Sequence, residues 1–198
     1  MKTLLSGLAL FFTVSSLADN SSCLNYESLT GLSDNAALEI RVDRFRQGYL
    51  EDLDSSLEIR LDTIVQGYDS VRDITNKLGE RTISTGNISG VGDRISRITF
   101  PYKHNNNMEL TPVNSSSIIL LSELHKELFS VSNSKFADLI MTLDEVDKLT
   151  PNEEIGEITI SIESLREGVM KFNGNVRFNF VFKKEGTKAL ASLRVLCN

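Results

Sequence analysis

The feature that most restricts the fold is a strict alternation of apolar and polar residues in the last third of the chain. Ile158, Ile160 and Ile162 alternate with Glu157, Thr159, Ser161 and Glu163, and Val176, Phe178, Phe180 and Phe182 alternate with Arg177, Asn179 and Lys183. A strand turns successive side chains to opposite faces, so a period of two sends one set into a core and the other into water. Asn173-Gly174 before the second run and Glu185-Gly186 after it are turn signals, because Asn and Gly accept positive φ at little cost. Ala189, Ala191, Leu193 and Val195 carry the alternation on to Cys197. Residues 156–197 therefore predict an antiparallel meander.

Nearer the start, Leu38-Glu39-Ile40-Arg41-Val42-Asp43 recurs as Leu57-Glu58-Ile59-Arg60-Leu61-Asp62, and Gln47-Gly48-Tyr49 as Gln66-Gly67-Tyr68. One pair of copies is too few for a solenoid, so it suggests a duplicated strand. The apolar residues also fit a helical period. Two strands are favoured, because Gly48 and Gly67 would each cost a helix interior about 1 kcal/mol. Between the copies and the meander, residues 82–92 read as a long turn that includes Gly90-Val91-Gly92, residues 94–102 as a strand stopped by Pro101, and residues 104–117 as a polar loop. Residues 117–129 and 134–149 have helix-like spacing with Ser at possible caps, although Ile118-Ile119-Leu120-Leu121 and Leu139-Ile140-Met141 would serve equally as strand centres. The expected fold is mainly β, an antiparallel barrel or sandwich with one or two helices; the alternative is α+β, an antiparallel sheet packed by helices.

Met1-Lys2, an apolar run from Leu4 to Val14 and then Ser15-Ser16-Leu17-Ala18 have the layout of a secretory signal peptide. The apolar run is about half of what a spanning helix needs. Cleavage after Ala18 leaves residues 19–198 as a single exported domain, periplasmic or extracellular and not membrane-spanning. The two cysteines, Cys23 and Cys197, stand at opposite ends of that domain. An oxidising compartment favours a Cys23–Cys197 disulfide, which would stabilise by about 4–5 kcal/mol in the chain-entropy view and make the ends neighbours.

Chemical motifs are scarce. A net charge of −6 with no basic patch argues against nucleic acid. His104 and His125 are the only histidines and neither has zinc-ligand spacing, so no metal and no cofactor are expected. Gly86-Asn87-Ile88-Ser89-Gly90 places its serine one position late for a nucleophile elbow. Glu51-Asp52-Leu53-Asp54, Asp144-Glu145-Val146-Asp147 and Asn152-Glu153-Glu154 lack the spacing of a calcium loop and read as solvated turns. The heaviest apolar feature after the leader is the face formed by Phe178, Phe180 and Phe182. Such a face serves either as ordinary core or as the wall of an apolar ligand cavity.

Lys135-Phe136 followed by the alternating Leu139, Met141 and Leu143, and Gly156-Glu157-Ile158-Thr159-Ile160 before the last strands, together resemble the YceI-like family of exported proteins. The likeness covers about a third of the chain, and this sequence departs from the family's pattern at Ala137 and at residues 161–166. Arg72-Asp73, after Gly67, matches the family's Arg-Asp pair in type but lies too far ahead of Lys135. The resemblance implies a lipocalin-like antiparallel barrel around a polyisoprenoid lipid. The functional expectation is thus an exported, non-enzymatic binding protein for an apolar small molecule or lipid, with Phe178, Phe180 and Phe182 at the ligand. The alternative is a protein-interaction or envelope-assembly domain with a filled core.

Overall fold

The computed structural model describes residues 23–28, 30–48, 57–68, 71–75, 81–85, 88–102, 109–131, 136–146, 152–172, 174 and 176–197. The predicted leader, His104 and the Glu51–Asp54 cluster lie outside the described residues. Two four-stranded antiparallel sheets face each other. One runs in the order β6(Thr111–Leu120), β1(Ala37–Arg46), β10(Thr187–Leu196), β9(Arg177–Lys184), and the other in the order β5(Ile88–Tyr102), β2(Leu57–Tyr68), β7(Phe136–Val146), β8(Glu153–Ser161). A short hairpin, β3(Val71–Thr75) with β4(Arg81–Thr85), stands apart from both. The mainly β sandwich with two helices is the expected architecture.

The helices are α1(Leu121–Val131), directly after β6, and α2(Ile162–Phe172), directly after β8. Residues 156–197 are therefore not a meander. Ser161 explains the difference: its Oγ accepts the backbone N–H of Ser164 at 3.1 Å, a cap that turns the strand into a helix one residue before Ile162. Ile162, Leu165, Gly168 and Val169 then bury at helical spacing. As a result β8 and β9 belong to opposite sheets. Of the two readings open for residues 134–149, the strand holds over β7, where Leu139, Met141 and Leu143 bury alternately. Residues 117–129 divide between strand and helix at Leu120. Of the segments read as a turn and a loop, residues 82–85 lie in β4, 88–92 in β5 and 111–117 in β6; Gly90 pairs with Gly67 inside the ladder. Pro101 lies within β5 and is tolerated because β5 is an edge strand.

The repeated segments form β1 and β2, the second strand of each sheet, and so occupy equivalent places. Leu38, Ile40 and Val42 point inward from one, Ile59, Leu61 and Val65 from the other, and all are buried in one continuous apolar core. Phe45 of β1 crosses to the other sheet, with its ring centroid 5.6 Å from Phe100 and 4.8 Å from Tyr102. On the outer faces the same repeat makes ion pairs. Arg41 meets Asp43 at 2.9 Å and Arg60 meets Asp62 at 3.2 Å, and each aspartate takes a further arginine from another strand, Arg177 and Arg97 respectively.

Candidate functional site

Both helices, the start of β1 and the end of β10 share one end of the sandwich, and the segment 23–36 is fastened across it. Cys23 is bonded to Cys197 with 5.0 Å between their Cα atoms, as the sequence predicts. Ser33 N–H donates to the Cys23 carbonyl at 2.8 Å, and Leu24 bridges Leu32. Gly31 sits at φ +75, and a Cβ there would lie 2.6 Å from Cδ of Arg166 in α2. Only glycine meets both conditions. Beside it the Thr30 hydroxyl is 2.7 Å from His125 Nε2, and His125 Nδ1 is 2.5 Å from Asp34 Oδ1. Thr30 Oγ1 also accepts the Leu32 N–H at 3.2 Å. His125, an unremarkable helix-face residue in the sequence, is thus the centre of a relay that ties this segment to α1. No spacing rule could find it, since its partners lie more than ninety positions away.

Phe178, Phe180 and Phe182 are all buried on the inward face of β9. Their register partners on β10 are Leu193, Ala191 and Ala189. Small residues receive the rings: a Cβ on Gly168 of α2 would lie 3.0 Å from Phe178 Cζ, and one on Gly156 of β8 would lie 3.6 Å from Phe182 Cδ1. The aromatic face therefore meets close neighbours at both of its ends, and Phe180, between them, is flanked by Ala191.

Three inward residues stand out because they are polar. Gln47, the residue just past the end of β1, is 2% exposed, yet neither its amide nitrogen nor its amide oxygen has a hydrogen-bond partner among the described residues. Thr63 on β2 (0% exposed) and Ser96 on β5 (7%) are direct register partners, and their hydroxyl oxygens also lack partners among the described residues. Beyond this pair the β2–β5 ladder slips, Ile64 pairing with Arg94 so that Ile95 is passed over. Alternation with Leu61, Ile98 and Phe100 puts Thr63 and Ser96 on the inner face, whereas a period of two carried on from Leu38, Ile40 and Val42 would put Gln47 outside with Glu39 and Arg41; the register shift between Val42 and Arg44 changes that phase.

No protein-family model matches the chain, and the search of curated proteins gives no match. Among solved structures, a C2 domain of plant Extended Synaptotagmin 1 is similar at a TM-score of 0.33 and 9% identity, covering 83% of this chain and 96% of that domain.

Where the acidic runs fall among the described residues, at 144–146 and 152–154, they lie in a strand or at the start of one and not in free turns. Asp144 lies in β7 and pairs with Arg60 at 2.9 Å, and Glu153 opens β8 and meets Lys184 of β9 at 3.0 Å. No group of three or more potential metal ligands occurs among the described residues. No helix among them is long and apolar enough to cross a membrane.

Proposed function

We propose that this chain is an exported, non-enzymatic binding protein for an apolar small molecule or lipid held between the two sheets, with the Phe178–Phe182 face as part of the surrounding wall. The observation that carries the reading is Gln47. A primary amide carries two N–H donors and a carbonyl acceptor, and burying such groups without partners costs several kcal/mol in total, about 1–3 kcal/mol for each one left unmade. An apolar pocket with a few inward polar groups is the usual makeup of a small-molecule site. The likeness to YceI-like proteins points to the same ligand class, and export accords with the disulfide that closes the domain.

A second reading is a protein-interaction or envelope-assembly domain. It is favoured by Ile118 and Leu120, which are 61% and 45% exposed side by side on the outer face of the edge strand β6, and by the close reception of Phe178 at Gly168. Phe180→Ala separates the two. In the ligand reading it lowers unfolding stability by less than about 3 kcal/mol and weakens capture of a fluorescent lipid probe, because the face is incompletely packed without its ligand. A loss near 5 kcal/mol, about the top of the range for a filled core, together with no probe binding by the parent protein, favours the interaction domain.

A further inference from the structure

Resting on the ligand reading above, we propose that the Thr63 and Ser96 hydroxyls form an anchor for the head group of a neutral amphiphile, a long-chain alcohol or a molecule with an equivalent uncharged hydroxyl or carbonyl. Three observations converge on the pair. The residues are direct register partners on neighbouring strands, so their side chains stand side by side on the inner face of the sheet. Both hydroxyl oxygens are buried and unpartnered among the described residues, and each hydroxyl offers one donor and two acceptor positions. The ladder becomes irregular immediately beyond them, where a bulge re-aims side chains relative to the regular strand.

Charge decides which head group fits. Apart from Thr63 and Ser96, the buried polar residues among those described are Thr30, Gln47, Asp138 and Ser192, and none of them is cationic. Asp138 and Ser192 alternate with the inward Leu139 and Leu193 and so belong to the outer faces, while Thr30 is engaged by His125. A carboxylate or phosphate beside Thr63 would therefore be desolvated without a counter-charge, which costs far more than two hydroxyl hydrogen bonds return. A neutral hydroxyl both donates and accepts and meets the pair without that penalty. Leu61, Val65 and Ile98, on the same inner face, surround the pair with apolar surface suited to an alkyl chain.

The test uses the oxidised mature protein and displacement of N-phenylnaphthylamine, a neutral apolar probe. Competitors are an alcohol, a carboxylate and an alkyl chloride of equal chain length at a pH where the acid is ionised. The alcohol is expected to displace the probe at concentrations about tenfold lower than the alkyl chloride and lower still than the carboxylate, the scale of one to two hydrogen bonds. Thr63→Val and Ser96→Ala are each expected to remove most of that preference while the probe itself still binds. A parent protein that binds the probe but shows no preference for the alcohol, or a Thr63→Val variant that keeps it, overturns the anchor and leaves the ligand reading standing. A parent protein that does not bind the probe, or any competitor in direct titration, overturns both.

Discussion

Asp62 shows how one side chain can mark the outer face of a sheet. Its carboxylate faces Arg97 with Oδ1 and Oδ2 each 2.6 Å from a guanidinium nitrogen, and Arg60 and Arg94 lie 3.2 and 3.9 Å away. Partial burial works to raise its pKa, but the hydrogen bonds from Arg97 and the charges of Arg97, Arg60 and Arg94 together hold it below the ordinary 3.8. The unfolded chain then takes up this proton before the folded one does. The stabilising contribution is present above about pH 4 and is lost as pH falls through the lower folded value. Asp62→Asn should therefore narrow the stability gap between about pH 6 and about pH 3, the range in which such a carboxyl titrates. Urea unfolding of both proteins across that range checks it, and parallel pH profiles would contradict the assignment. Because Arg97 is well exposed, solvent keeps the contribution modest.

At the scale of elements, alternation was a reliable guide to which faces are buried and a poor guide to where strands stop. The run Ile158-Ile160-Ile162 continues its period of two past the real strand end, because Ile162 is inward both as the next strand position and as the first buried position of α2. The distinguishing signal was the pair Ser161 and Ser164, whose hydroxyls lie 2.7 Å apart at the start of the helix. Leu139-Ile140-Met141 was ambiguous for a different reason. Short apolar runs fit either period, and only tertiary pairing with β2 and β8 selects the strand. Ser161→Ala should cost about 1 kcal/mol, the usual worth of such a cap, in urea unfolding. An unchanged midpoint would mean that packing of Ile162, Leu165 and Val169 alone positions α2.

For the whole molecule, the repeated Leu-Glu-Ile-Arg segment is the part of the architecture most legible in advance. Its two copies are the second strands of the two sheets, with Ile40 and Val42 matched by Ile59 and Leu61 in the core and the same Arg-Asp pair outside. The candidate site was much less legible. Gln47 and Gln66 are equivalent in the repeat, but only the fold shows that the first is buried with neither amide atom partnered among the described residues. The joining of the ends, by contrast, could be read directly from cysteine placement. Replacing both Cys23 and Cys197 by Ser should lower unfolding stability by about 2–5 kcal/mol, measured against the oxidised parent. A loss of under about 1 kcal/mol would indicate that the relay through His125 holds segment 23–36 in place unaided.

The Cys23–Cys197 bond encloses a sequence separation of 174 residues, nearly the whole described domain, and so gives the chain the connectivity of a ring. A protease that cuts one exposed loop opens this ring but separates nothing: the two pieces remain a single covalent molecule through the bond at the capped end. Two cuts are needed to release a fragment. A single nick between the two cysteines would therefore release no fragment, and the break would show as two separate pieces only after the disulfide is reduced.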